Sequence, residues 1–261
     1  MAINLVGLTS GAGIDCGNVQ SASKAASDSF SVAAWVYPVN WSATTISTGT
    51  GGFPNAWMIF TAGGPETETI GLNAPWMLLV HSASKTIGFD WEDRVNGQNR
   101  PMTGSTALTL NTWQHIAVTY TNATASFYLN GNLDVTRLST ATGSGRFPDT
   151  SSNQRLGIGC TITSAGVKTG IFGGKISDCA FWKTVLAPNE VQQLAQSRQK
   201  YMPFQIQPSF LHLYYPLDEV AHGSIAPTTA QLVKNRASGS FGNGTIAGNV
   251  VGAAEDYLSY L

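Results

Sequence analysis

The pair Asn130-Gly131 stands between two alternating segments, Thr124–Leu129 and Leu133–Leu138. Asn and Gly accept the positive φ angles of a two-residue hairpin turn, so the two segments are expected to pair as antiparallel neighbours. The stretch just before them carries the same period. Trp113-Gln-His-Ile-Ala-Val-Thr-Tyr120 places Ile116, Val118 and Tyr120 on one side, after the turn-prone Asn111-Thr112. Earlier in the chain, Phe30-Ser-Val-Ala-Ala-Trp-Val-Tyr37 lines up Phe30, Val32, Ala34 and Val36 and stops at Pro38, which cannot donate to a central ladder. Runs of this kind must lay one face of a sheet against a core.

Weaker strand signals lie at Ile14–Cys16, Trp57–Thr61, Trp76–His81, Thr86–Trp91, Arg155–Thr161, Gly170–Trp182 and Phe210–Tyr215. Many short strands separated by Gly-rich turns indicate an all-β chain folded as a two-sheet antiparallel sandwich. One segment breaks the rhythm. From Pro188 to about Lys200, Val191, Leu194, Ala195 and Arg198 recur at i, i+3, i+4 and i+7, and Pro188 suits a first turn, so a single short surface helix is expected. Met202-Pro203 and Pro208 then force an extended link, and the Gly- and Asn-rich run to Asn249 reads as loops. At 261 residues and 43% apolar content the chain can fill one sandwich core. We divide it into a sandwich over 1–204 and an extension over 205–261 that completes the sandwich or contacts a partner.

Fourteen Lys and Arg against fifteen Asp and Glu leave a net charge of -1. Such a chain has no general field for phosphate backbones or anionic lipids, so neither nucleic acid nor membrane is expected as a partner. The longest apolar stretches, such as Trp76–Val80, fall far short of the roughly 20 residues that span a bilayer. The opening Met1-Ala2-Ile3-Asn4 has neither a basic nor a long apolar region, so no secretory signal is read. Cys16, Cys160 and Cys179 are odd in number and lack C-x-x-C spacing, and they read as small buried hydrophobes.

Taken in order, Ile14-Asp15-Cys16-Gly17, Ser29–Pro38, Trp113–Tyr120, Phe127-Tyr-Leu-Asn-Gly131 and Gly173–Trp182, followed by Leu186-Ala-Pro-Asn-Glu-Val191, resemble the laminin-G-like, concanavalin A-like lectin/glucanase jelly-roll family. The match covers about residues 13 to 200. The tail Leu213-Tyr-Tyr-Pro-Leu-Asp-Glu219 with Asn243-Gly-Thr245 resembles a segment often found beside such domains, placed here as in phage and environmental versions. The resemblance implies a jelly roll. It leaves function open, because the fold hosts lectins, adhesion modules, glycan hydrolases and structural parts.

Glycosidases of this fold carry paired carboxylates on one strand face, in a Glu-x-Asp-x-(x)-Glu run that this chain lacks. The nearest cluster is Asp90-Trp91-Glu92-Asp93. His81, His115, His212 and His222 show no ligand spacing and read as structural. Many relatives bind calcium at the sandwich rim, which makes Asp15, Asp134, Asp149 and Asp178 candidates by residue type alone; no calcium-loop motif is present, so no metal or other cofactor is assigned. Trp41, Trp57, Trp76 and Trp91 crowd the stretch between residues 38 and 105. Exposed rings can stack on the apolar face of a sugar, whereas buried rings fill a core. The candidate ligand-binding set is Trp41, Trp76 and Trp91 with Glu92 and Asp93. Trp35 and Trp113, beside the strongest strands, are expected in the core. The terminal run Ala254–Leu261 alternates in a way that suits an exposed sheet edge, making Tyr257, Leu258 and Tyr260 candidate partner contacts.

The first functional expectation is therefore a non-enzymatic virion structural protein, a phage capsid decoration or tail-associated protein assembled in a host cytoplasm. Its partners would be viral structural proteins or further copies of itself in a homo-oligomer. The alternatives are a carbohydrate-binding module on a cell or virion surface, with surface glycans as partners and an extracellular location, and a glycan hydrolase with an unrecognised site.

Overall fold

The computed structural model describes residues 2–8, 11–18, 29–66, 73–141, 148–149, 154–196, 202–225, 232–237, 243–248 and 250–253. In chain order the strands are β1 (Ala2–Asn4), β2 (Gly13–Asn18), β3 (Ser29–Pro38), β4 (Ala56–Ala62), β5 (Trp76–His81), β6 (Thr86–Asp90) and β7 (Met102–Ala107). Then come β8 (Gln114–Thr121), β9 (Thr124–Leu129), β10 (Asn132–Leu138), β11 (Arg155–Ile158), β12 (Thr161–Ile162), β13 (Lys168–Thr169) and β14 (Gly174–Trp182). After helix α1 (Pro188–Gln196) and a 3-10 turn at Met202–Gln205 follow β15 (Leu211–Tyr215), β16 (Leu232–Val233), β17 (Gly244–Ala247) and β18 (Val251–Ala253).

Two eight-stranded antiparallel sheets result. Sheet A runs β10-β9-β8-β3-β14-β1-β18, with β15 also paired to β14, and sheet B runs β16-β17-β2-β11-β4-β5-β6-β7. The expected hairpin is present: Leu129 pairs with Asn132, and Asn130 and Gly131 adopt φ of 51° and 80°. A Cβ on Gly131 would lie 3.0 Å from both Ala195 Cβ and Gln192 Cα, so the turn must be bare for α1 to pack on it. Glu190 accepts a bond from Ala187 N at 2.8 Å and so caps the helix start.

The main core lies between the sheets. Phe30 sits 5.0 Å from Tyr120 and 5.4 Å from Phe181, Trp76 stacks on Phe181 at 5.0 Å, and Trp91 meets Tyr120 edge-on at 4.9 Å. Each sheet is also covered on its outer side. On sheet A, α1 lays Val191 and Leu194 over the small residues Ala33, Ala117 and Ala180. On sheet B, Ile46 and Phe53 from the loop before β4 cover Met58, Met77 and Leu79. Two-sided burial explains why β5 reads as a continuous apolar run rather than an alternating one.

The open edges of the two sheets, β7 and β10, face one another. Asp134 accepts from Ser105 N at 2.6 Å, Thr106 N at 3.2 Å and Thr106 Oγ1 at 2.6 Å, while Arg137 donates to Thr103 O at 3.1 Å. The late strands join both sheets: β15 pairs with β14, β17 with β2, and β18 with β1. Strands β16 and β17 fall in the run expected to be loops. Leu232-Val233 and Gly244–Ala247 are too short to carry a pattern of their own, and pairing of β16 with β17 and of β17 with β2 holds them in place. The segment 254–261, with Tyr257, Leu258 and Tyr260, and residues 197–200 at the expected helix end lie outside the described residues. Trp113 corrects an expectation: it precedes β8, is half-buried, and tilts against Tyr37 at 5.6 Å. Among the described residues no helix is long and apolar enough to cross a membrane.

Candidate functional site

Alternation along β6 sends Ile87, Phe89 and then Trp91 into the core, and turns Asp90 and Glu92 the other way. Asp90 accepts from Thr48 Oγ1 at 2.6 Å, Asn99 Nδ2 at 3.1 Å and Arg100 N at 2.8 Å. The glycine run beside it is required by space: a Cβ on Gly52 would lie 2.1 Å from Thr48 Oγ1 and 2.9 Å from Asp90 Oδ2. Burial pushes the Asp90 carboxyl up to about 7, against the opposing pull of these donors. Glu92 accepts from Ala74 N at 2.7 Å. Asp93 accepts from Val95 N and Asn96 N at 2.9 Å and holds the Arg100 guanidinium at 2.6 Å. These carboxylates tie the 48–53, 73–74 and 93–100 loops to the strand end. At 0%, 3% and 0% exposure, Asp90, Glu92 and Asp93 present nothing to an incoming ligand.

The candidate set from the sequence therefore divides. Trp76 and Trp91 are fully buried between the sheets and offer no ring face for stacking, because the period-two pattern points both inward. Glu92 and Asp93 belong to the buried network. Trp41 alone is half-exposed; its ring lies 5.1 Å from Trp57, and Lys85 Nζ stands 5.8 Å from its centroid. The four aspartates considered for calcium do not converge. Asp15 pairs with Arg155 at 3.0 Å, Asp134 clasps β7, Asp149 accepts from Asn73 at 3.0 Å, and Asp178 accepts from Tyr214 at 2.5 Å. Among the described residues no group of three His, Cys, Asp or Glu could hold a metal.

A different surface brings aromatic and polar groups together. On the outer face of sheet A, Trp35 pairs across strands with His115 and with Ser177, and Tyr37 with Lys175. The Trp35 and His115 rings meet edge-on at 5.4 Å, and Lys175 Nζ lies 4.4 Å from the Tyr37 centroid. Tyr37, Trp113 and Lys175 are half-buried. Beside this strip, a small cleft of about 10 Å³ opens between sheet and helix, lined by Trp35, His115, Asp178, Trp182, Leu194 and Pro203. Asp178 takes a φ of 50° at the bulge where β14 changes partner from β1 to β15. Its carboxylate accepts from Tyr214 Oη at 2.5 Å and from Ser177 Oγ at 2.8 Å. His115 is 3% exposed and its Nδ1 is buried without a hydrogen-bond partner. Burial pushes the imidazole down to about 3, so the ring is neutral at physiological pH.

Trp35 is buried as expected, at 8% exposure, and sequence reasoning missed this strip because it took Trp113 for a core residue as well. The signal was available: Trp35, Tyr37, Trp113 and His115 occupy the positions opposite the apolar ones on the two strongest alternating strands.

No protein with a curated description matches the chain. Among solved structures it is similar to a heptameric pentraxin resembling serum amyloid P from Limulus polyphemus, at 15% identity and a TM-score of 0.52, over 75% of this chain and 81% of that one. It is similar to the CBM40 module of the Ruminococcus gnavus IT-sialidase, solved with α2,3-sialyllactose, at 15% identity and a TM-score of 0.50, over 75% of this chain and 98% of that one. A candidate carbohydrate-binding protein from Bacteroides ovatus matches at 20% identity and a TM-score of 0.51, over 87% of this chain and 56% of that one. At these identities the likeness is one of fold. The laminin-G-type family model described as the concanavalin A-like lectin/glucanases superfamily matches residues 10–192, and the chain belongs to that family.

Proposed function

We propose that this protein is a non-catalytic carbohydrate-binding module that works outside the cell. The observation that carries the reading is the strip on sheet A, where Tyr37 and Trp113 are only half-buried beside a cleft lined by His115 and Asp178. Half-open aromatic rings on a rigid sheet can stack on the apolar face of a sugar, while adjacent polar groups fix its orientation. The pentraxin and CBM40 neighbours add support at the level of fold. Hydrolysis is disfavoured because Asp90 and Glu92 are buried and occupied by the loops they hold. A role as a phage capsid decoration or tail-associated protein rested on the low charge, the lack of a catalytic pair or metal motif and the long extension over 205–261; the contacts expected at Tyr257, Leu258 and Tyr260 lie outside the described residues, and no neighbour named above is a virion protein.

A glycan array with the full chain tests the reading. Saturable binding is expected, and Trp113→Ala should abolish it while lowering stability by about 1–2 kcal/mol, less than a fully buried Trp would cost. A chain that binds no glycan on the array has another function.

A further inference from the structure

Sheet A ends at β10, which among the described strands pairs with β9 alone. Two backbone bonds fix which of its residues spend their main chain on that pairing. Asn130 N donates to His115 O on β8, and Ser139 N donates to Ala123 O just before β9, each at 2.8 Å. Main-chain groups alternate between the two sides of a strand, so Asn132, Val135 and Arg137 bond to β9, while the N–H and C=O groups of Leu133, Thr136 and Leu138 point away from it. The bulge at Asp134 makes these three successive members of one row. Their side chains share the outer face of the sheet: they stand opposite Tyr128, Ser126 and Thr124, Thr136 Oγ1 lies 2.9 Å from Ser126 Oγ, and Val135 packs inward against the core. Leu133 and Leu138 are 57% and 74% exposed. Strand β7 meets β10 through side chains, Asp134 and Arg137, and that carboxylate caps the edge amides of Ser105 and Thr106. One edge is thus closed by a carboxylate, and the other is left bare between two leucines.

A bare edge is a template for another strand. The row that β10 offers reads Leu, Thr, Leu in either direction, with the bulge counted as one position. A second copy of β10 laid antiparallel across it therefore sets Leu133 against Leu138, Thr136 against Thr136 and Leu138 against Leu133. Each of these residues points its main chain outward, so every pair can exchange both N–H···O bonds, and each pair keeps its side chains on the same outer face. The match is to the strand itself, and its two-fold symmetry uses up the edge of both copies, which closes the assembly. We propose that the chain forms a two-fold homodimer through antiparallel pairing of β10 with β10, joining two A sheets into one. The axis stands normal to the sheet, so both outer faces look the same way. Given the carbohydrate-binding reading, the strips on the two β3 strands then lie seven strand spacings apart, roughly 34 Å at 4.8 Å per spacing, and a glycan-bearing surface is engaged twice.

The test uses the full chain, whose Cys16, Cys160 and Cys179 are buried. Sedimentation velocity over a concentration series should show a monomer–dimer equilibrium. Single cysteines then read the register under mild oxidation. Thr136→Cys should cross-link to itself, because directly opposed residues bring their Cα atoms to about 5.5 Å. Leu133→Cys alone should not, since its own counterpart lies about 14 Å further along the strand, but it should cross-link when mixed with Leu138→Cys. Leu133→Lys combined with Leu138→Lys sets like charges opposite one another and should raise the dimer Kd at least about tenfold. Both leucines are exposed, so the melting temperature of that variant should hardly move and a lost dimer cannot be charged to misfolding. A chain that stays monomeric up to about 1 mM, a Thr136→Cys variant that fails to cross-link, or a dimer that survives the two lysines would overturn the pairing. A dimer that binds no glycan overturns only the carbohydrate reading, and a monomer that binds one overturns only the pairing.

Discussion

Two buried polar clusters lie on opposite sheets, and they are finished differently. At the end of β6, Asp90 receives Thr48, Asn99 and the Arg100 amide, and the glycines around it are shaped to the fit. On the outer face of sheet A, His115 is equally withdrawn from water, and its Nδ1 is left without a hydrogen-bond partner. In the first cluster the carboxylates hold loops, although Asn99 Oδ1 beside them is also buried without a partner. In the second, the Asp178 carboxylate is taken by Tyr214 and Ser177, and His115 Nδ1 is left unbonded. A sequence shows only that polar residues fall near strands; whether their hydrogen bonds are already taken is decided by loops that arrive from far along the chain.

The strongest way to break this comparison is to truncate Asp90. Asp90→Ala leaves three donors buried and unpaired, and unfolding in urea should show a loss of about 3 kcal/mol or more. A variant that melts like the wild type would remove the network from the architecture.

Acid titration sharpens the contrast, because the two groups act with opposite sign. The folded-state pKa of His115 lies below its unfolded value, so the unfolded chain binds more protons between about pH 6.5 and 3, and stability falls as pH drops through that window. From pH 6.5 to 5 the loss is roughly 2 kcal/mol, an upper figure if the structure relaxes around the charged ring. For Asp90 the folded-state pKa is raised, so its favourable contribution is present at low pH and is lost as pH rises toward about 7. Denaturation measured at pH 7, 6 and 5 should therefore be steeper in acid for Asp90→Asn and flatter for His115→Gln. Parallel profiles for the wild type and both variants would show that neither group is buried as described.

The smallest effect is expected where polar groups are satisfied but exposed. Asp134→Ala at the β7 and β10 edges should change stability by no more than about 1 kcal/mol. It should instead raise self-association at high concentration, read by light scattering, because it uncovers strand amides. A large loss of stability with no added association would place Asp134 among the structural carboxylates.

Much of the fold was legible because burial on one face writes a period of two into β3, β8 and β9, and because Asn130-Gly131 fixes a turn locally. Strands β7, β16 and β17 were not legible. Met102-Thr-Gly-Ser-Thr-Ala107 and Gly244-Thr-Ile-Ala247 are short and rich in small residues, and neighbouring strands supply the order that their own propensity lacks. The candidate site was half legible. The abundance of tryptophan was visible, but which aromatics stay half-buried depends on α1 packing over Ala33 and Ala117 in a cluster that does not include Tyr37 or Trp113.

The pairing of β17 with β2 and of β18 with β1 has a consequence for how the chain reaches its native state. The opening strands emerge first during synthesis, yet part of their hydrogen bonding waits for residues translated near the other end. At about 5–20 residues per second, that interval is on the order of ten seconds or more. Throughout it the edges of β1 and β2 are open to any extended segment nearby, including the same strands on a neighbouring nascent chain. The fold is thus one that a polysome can misassemble, and its yield should depend on translation rate and chaperone supply more than its final stability would indicate.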